Sequence, residues 1–200
     1  MMINLLKSIL IMISLICSNV FGQTINRYGT TAANFLEIGV GSRATSMGDA
    51  YVAVANDVSS IYWNPAGLSN VSSSSALFMV QPWLVDIDML FAGGAVVVPN
   101  VGVLGLGITH LDYGEMDVTN LEYQDGTGER FGASDMAATF TFSRKIVSWF
   151  SFGSSMKYIS SNIWHSSASA FAVDLGVLVN TKFFSFTGND KDGMNIGMSI

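Results

Sequence analysis

DMAATFTFS, residues 135–143, alternates without a break. Met136, Ala138, Phe140 and Phe142 fall on one side of an extended chain, and Asp135, Thr139, Thr141 and Ser143 on the other. Successive side chains of a strand point to opposite faces, so a period of two describes a strand with one apolar and one polar face. The pattern continues outward. Phe150, Phe152, Met156 and Tyr158 share a face opposed by Ser151, Gly153, Ser155 and Lys157. Phe171, Val173, Leu175, Val177 and Val179 oppose Ala170, Ala172, Asp174, Gly176 and Asn180. Each run matches a tilted membrane-crossing strand of about 9–11 residues. Residues 72–81, 86–98 and 101–111 read as three earlier strands, the last two softened by glycines, and a seventh begins at Gly193.

Composition agrees with strands that have one face in lipid. Half of the residues are hydrophobic and 12% are charged, against roughly 25% charged in a typical soluble domain. Yet no apolar block after the N-terminus is long enough for a membrane-spanning helix, which needs about 20 residues. High hydrophobicity without long apolar blocks is what alternating barrel strands produce, one face toward lipid and the other toward a polar interior.

The first 22 residues read as a signal peptide: Lys7 supplies the basic region, residues 8–20 the apolar region, and Val20 and Gly22 the small positions before a cut. Ile16 before Cys17 is not the small residue of a lipoprotein site. Cleavage removes the single cysteine and with it any internal disulfide or thiolate zinc site. It also removes Lys7, leaving eight Lys and Arg against fifteen Asp and Glu, a net charge of −7. So acidic a chain has no basic face for nucleic acid.

Connection lengths alternate, short at 99–100 and 146–148, long and acidic at 112–132, intermediate at 160–167. Outer-membrane barrels keep short turns on the periplasmic side and long loops outside, so the parity is that of a barrel whose first strand runs outward. The stretch 181–192 is long for a periplasmic turn. About seven strands cannot close an ordinary barrel of even strand number, and an open edge in hydrocarbon leaves backbone groups unpaired. The expected fold is therefore all-β, an outer-membrane antiparallel β-barrel present in part as about seven strands from residue 71 to 200, with residues 1–22 a signal peptide and the whole a fragment of a longer protein.

Between signal and strands stand Gly41, Arg43, Ala44, Met47, Gly48, Asp49, Ala50 and Asp57, followed by Trp63-Asn64-Pro65-Ala66-Gly67-Leu68. This ordered set resembles the plug of the PorV/PorQ family and, more distantly, of FadL-like outer-membrane transport barrels, which implies that residues 23–70 form an N-terminal plug containing short helical turns and residues 71–200 the N-terminal half of the barrel. Asp57 is placed to cap a short helical turn through Trp63, and Pro65 disfavours helical geometry at Asn64. Residues 51–55 read as a short extended piece. The resemblance implies a non-enzymatic outer-membrane protein, with no cofactor, linked to type IX protein secretion, whose partners are outer-membrane lipid and secretion-system proteins or secreted cargo. The alternative it implies is a FadL-like channel for hydrophobic compounds such as long-chain fatty acids, with a strand kink at Gly93-Gly94 or at Gly105 and Gly107.

By that resemblance Trp63, Asn64, Pro65 and Ala66 line or gate a path past the plug; read as residues alone, they form a rigid turn packing the plug on the wall. Arg43 pairs with Asp49 or binds a ligand carboxylate. Lys157 and Asp174 are candidates for a pair inside the lumen. His110 and His165 stand near strand ends without acidic or cysteine partners at metal spacing. Residues 190–193 lack the later ligands of a calcium loop, and no serine has a positioned base: no catalytic, metal or cofactor residue is expected. Trp83, Tyr113, Trp149, Tyr158 and Trp164 are expected near strand ends as an interfacial girdle, and residues 112–132 as the partner loop.

Overall fold

The computed structural model describes residues 33–84, 87–181 and 193–200. The expected signal peptide, the lead through residue 31, and nearly all of 181–192 lie outside them. Ala33–Ile200 is one compact unit, in which a curled seven-stranded half-barrel sheet carries a short helical segment on one face.

The strands are β1 (Ser75–Pro82), β2 (Asp88–Val98), β3 (Gly102–Asp117), β4 (Arg130–Val147), β5 (Phe150–Ile163), β6 (Ser166–Thr181) and β7 (Met194–Ser199). They pair antiparallel in sequence order, with β1 and β7 at the edges. Each of the seven expected strands is present. The two-residue phase is kept across the ladders: Phe78, Ala92, Ile108, Ala138, Tyr158 and Phe171 lie directly opposite one another from β1 to β6. So do Ala95, Gly105, Thr141, Ser155 and Asp174 from β2 to β6. The second row belongs to the face that meets the helical segment, called inner below; the first row belongs to the outer face.

Three boundaries differ from expectation. The long connection shrinks to residues 118–129, because β3 continues through Asp117 past a bulge between Asp112 and Glu115. Arg130 holds this polar extension by pairing with Glu115 (2.9 Å) and Asp117 (3.1 Å), cross-strand charges that a hydropathy pattern does not register. Residues 160–167 are no loop: β5 and β6 extend to a two-residue turn, Trp164-His165, with Trp164 in the left-handed region (φ 51°). A serine-rich strand lacks apolar alternation, so its ends read as loop. Finally, residues 51–55 are turns rather than extended chain, the amides of Val54 and Ala55 both bonding to the Tyr51 carbonyl.

The expected glycine kinks are absent. The β1–β2–β3 ladders run in continuous register past Gly93, Gly94, Gly105 and Gly107, and among the described residues register shifts occur at the Asp112/Glu115 bulge and between Lys145 and Val147.

Among the described residues, four short helical turns precede the sheet: α1 (Asn34–Glu37), α2 (Ser42–Thr45), α3 (Ser60–Trp63) and α4 (Pro65–Asn70), of which α1 and α4 are 3-10. The Asp57 carboxylate accepts from the Ser59 amide (2.9 Å) at the start of α3, as its capping role requires. Asn64 ends α3 in extended geometry (φ −158°, ψ 108°), and Pro65 opens α4, matching the restriction before proline and proline's fitness for a first helical position. Too short to persist alone, these turns are held by burial. Phe35, Val40, Val58, Ile61 and Leu68 form one core with Met89, Phe91, Val103, Leu111 and Ala137 of the inner face. Full burial of such side chains stabilises by about 1.5–3 kcal/mol each. No helix among the described residues is long and apolar enough to cross a membrane.

Candidate functional site

The site is built where Trp63-Asn64-Pro65-Ala66 meets the inner face. Asn64 is completely buried. Its Nδ2 donates to the carbonyls of Val52 (2.9 Å) and, on β6, Val177 (3.1 Å), while its Oδ1 accepts from the Ala66 amide (3.0 Å). One carboxamide thus joins the turn at residues 52–54, the start of α4 and the wall. The Ala66 carbonyl accepts from Ser143 Oγ of β4 (3.1 Å) and from Ser69 Oγ (2.9 Å). Trp63 Nε1 donates to the Val40 carbonyl (2.9 Å), and its ring meets Tyr62 and Tyr51 edge-on.

The wall is shaped to receive this segment. A β-carbon on Gly153 would overlap the Pro65–Ala66 peptide, one on Gly176 would overlap Asn64 and Pro65, and one on Gly197 would meet Val52 and Ala53. On β3, a β-carbon at Gly105 would lie 2.7 Å from Leu68 and one at Gly107 would lie 2.9 Å from Ile61. Ser143, Gly153 and Gly176 are directly paired across β4, β5 and β6. These glycines and Ser143 were missed as site residues. Their signal was present, since Gly153 and Gly176 sit on the polar side of two alternating runs, but a strand glycine alone does not say what approaches it.

Arg43 and Asp49 are not brought together as a pair. The Arg43 guanidinium donates to Asn56 Oδ1 (2.9 Å) and lies over the Tyr51 ring. Asp49, at φ 64°, places its carboxylate against the backbone of Gly39. Gly41 (φ 94°) and Gly48 (φ 62°) occupy left-handed conformations on either side of α2, which explains glycine at both positions of the motif. The Tyr62 hydroxyl bonds to the carbonyls of Leu36 and Ile38. Burial raises its pKa, with Asp49 and Glu37 adding to the shift. Tyr51 is also raised, by burial first and then by Asp57. Both phenols therefore stay neutral donors.

Lys157 and Asp174 do meet, Nζ to Oδ2 at 2.7 Å on the inner face, with side chains 13% and 20% exposed. They are diagonal neighbours: Asp174 is paired with Ser155, whose Oγ lies 2.7 Å from the buried Thr141 hydroxyl. A second polar group, also missed, lies higher on the same face, where Asp135 accepts from Tyr113 (2.7 Å) and from Ser161. That removes Tyr113 from the expected girdle, because its ring packs on the inner core; Tyr158 is mid-strand. Trp83 and Trp164 are exposed at the rim where β1 and β5 end, and Trp149 at the opposite rim.

The described residues contain no cluster of His, Cys, Asp and Glu able to hold a metal ion. The arrangement can hold a segment on a wall and keep polar groups inside a curled sheet. No protein-family model matches the chain, and no curated protein matches it.

Proposed function

We propose that the chain forms part of an outer-membrane β-barrel of PorV/PorQ type, a binding component linked to type IX secretion, with the helical segment as a plug on the inner wall. The carrying observation is the exposed apolar outer face of a sheet whose inner face also carries buried polar groups. The outer face exposes Phe171 (77%), Leu106 (66%) and Phe140 (50%), while the inner face holds the Lys157–Asp174 pair and the Thr141–Ser155 hydroxyls. A water-soluble sheet rarely leaves so continuous an apolar face to solvent. From Phe150 to Tyr158 and from Phe171 to Val179 no outward residue is charged. At about 3.3 Å per residue and a tilt near 40° such a run rises about 20 Å, close to the ~25 Å apolar band of membrane barrels. Tryptophans at both rims fit the interfacial levels of that band.

The strand directions add a condition. β1 and β7 run the same way, so antiparallel closure requires an odd number of further strands between them. The acidic loop 118–129 lies at the rim of Trp164 and would face outward, where a secretion partner or cargo would meet it. The type IX role rests on the motif resemblance. The FadL-like alternative loses its expected wall kink, since the ladders are unbroken at the glycines. Heat-modifiable migration of the protein from isolated outer membranes, followed by co-purification of secretion-system proteins, tests the reading. A chain that is not heat-modifiable and remains in the periplasm would overturn it.

A further inference from the structure

The outer face changes character toward the rim that carries the acidic loop. On β4, β5 and β6 it is dominated by apolar side chains up to Met136, Tyr158 and Phe171. Beyond them stand Ser134, Gly132 and Arg130 on β4, Ser160 and Asn162 on β5, and Ser169 and Ser167 on β6. Glu115 and Asp117 of β3 join this side by pairing with Arg130. Strand ends without outward apolar side chains lie clear of the apolar band of a membrane barrel.

On the inner face the same strand ends do the reverse. Phe131 and Ala133 alternate in phase with Asp135, which faces inward with Tyr113 and Ser161. Met116 is directly opposite Phe131, and Ile163 directly opposite Ala133, so both share that side. The Trp164 ring lies 5.9 Å from the Phe131 ring, and Ala168 and Ala170 continue the surface on β6. Met116, Ile163 and Trp164 are exposed. The adjoining loop leaves Leu121 (95%) and Tyr123 uncovered too. It is held in shape by Asn120, whose Oδ1 accepts from the amides of Glu122 (2.9 Å) and Tyr123 (2.7 Å).

Exposed apolar side chains gathered away from the lipid-facing side mark an interaction surface. From β3 to β6 the patch is about 14 Å across at ~4.8 Å per strand spacing. That is broad for one acyl chain and wide enough for a helix of about 10–12 Å diameter. Its surroundings set the charge of what fits: Asp112, Glu115, Asp117, Glu122, Asp125 and Glu129 stand around it, while the Arg130 guanidinium is already engaged by Glu115 and Asp117. An anionic ligand is repelled here and a cationic one drawn in. We propose that this patch docks an apolar polypeptide segment carrying basic residues, supplied by a second protein on the outer side of the membrane. The proposal rests on the membrane reading above and gives the outward partner its chemistry.

The test uses the full-length protein in phosphatidylcholine nanodiscs. The probes are two fluorescent peptides of valine alternating with lysine or with glutamate, read by anisotropy against empty nanodiscs, with heat-modifiable migration measured on the same samples. The lysine peptide should bind about tenfold more tightly than the glutamate peptide, and high salt should weaken it. Met116→Ser/Ile163→Ser should weaken it about fivefold or more. Asn162→Ala, on the outward side of β5, should not, and the heat shift should be unchanged in each variant. Oleate should not compete. Equal binding of the two peptides, unchanged binding by Met116→Ser/Ile163→Ser, or displacement by oleate would overturn the docking site while the heat shift keeps the barrel. So would no binding at all, the result expected where the rest of the chain covers the patch. Loss of the heat shift in the wild type would overturn both.

Discussion

The carboxamide of Asn64 lies against Gly176 where a β-carbon would stand, and its Nδ2 bonds to the neighbouring Val177 carbonyl. The helical segment and β6 are thus fitted to each other at one side chain and one missing side chain. Gating by this part of the segment would require Asn64 to give up its buried bond to the Val177 carbonyl and the Ala66 carbonyl its bond from Ser143 Oγ. The Asn-Pro-Ala turn is accordingly a point of attachment.

Gly176→Ala should destabilise the protein by about 1–3 kcal/mol, the usual cost of overpacking. Gly153→Ala should cost at least as much, because the obstacle is the backbone of Pro65 and Ala66. Gly94→Ala is the control: its nearest neighbour is a carbonyl at 3.9 Å, and stability should hardly change. Denaturant unfolding of the three variants in detergent checks the ranking.

Asn64→Ala leaves the Val52 and Val177 carbonyls and the Ala66 amide without their partner, at about 1–3 kcal/mol for each group left buried and unsatisfied. Asn64→Asp keeps the acceptor for Ala66 but cannot donate, and buries a charge. It should be no better than alanine. Limited proteolysis near residues 52–66 should speed up in both, and protection equal to wild type would contradict the anchoring role.

Removing one member of the Lys157–Asp174 pair should cost about 3 kcal/mol, the lower end for mostly buried pairs, because each side chain retains some exposure. Lys157→Met/Asp174→Leu should cost less than either single change added to the other. A double-mutant cycle on unfolding free energies measures the coupling; strict additivity would mean the two charges are already solvated separately.

Val173→Lys places a charge in the middle of the outer face and should destabilise the membrane-inserted protein by about 2–4 kcal/mol. Val179→Lys, nearer the rim, should cost about 0–1 kcal/mol on the same scale. Equal small effects at both positions would argue against a hydrocarbon environment.

The sheet was largely legible in the sequence because alternation at 135–143, 150–158 and 171–180 reports directly on two unlike faces. Polar strand ends were not: residues 113–117 and 159–163 extend their strands through the Arg130 ion pairs and a tight turn at Trp164. The turn at Asn64-Pro65 and the cap at Asp57 followed from local chemistry. What Asn64 grips did not, since its partner Val177 is 113 residues away. Of the glycines read as kinks, Gly105 and Gly107 are clearances for Ile61 and Leu68, a role visible only once the segment's position is known. Arg43 escaped for a similar reason, finding Asn56 and the Tyr51 ring in place of the nearer Asp49.

The central claim is that the outer face of the sheet meets lipid. Its most direct test is a set of single-cysteine spin labels at positions 170–175 and 177 of β6, in a Cys17→Ser background inserted in membranes, read by collisions with oxygen and with a water-soluble nickel complex. We expect labels at 171, 173, 175 and 177 to collide preferentially with oxygen and those at 170, 172 and 174 not to, a strict period of two. Nickel accessibility at 171, 173 and 175 as high as at an exposed loop would contradict the account.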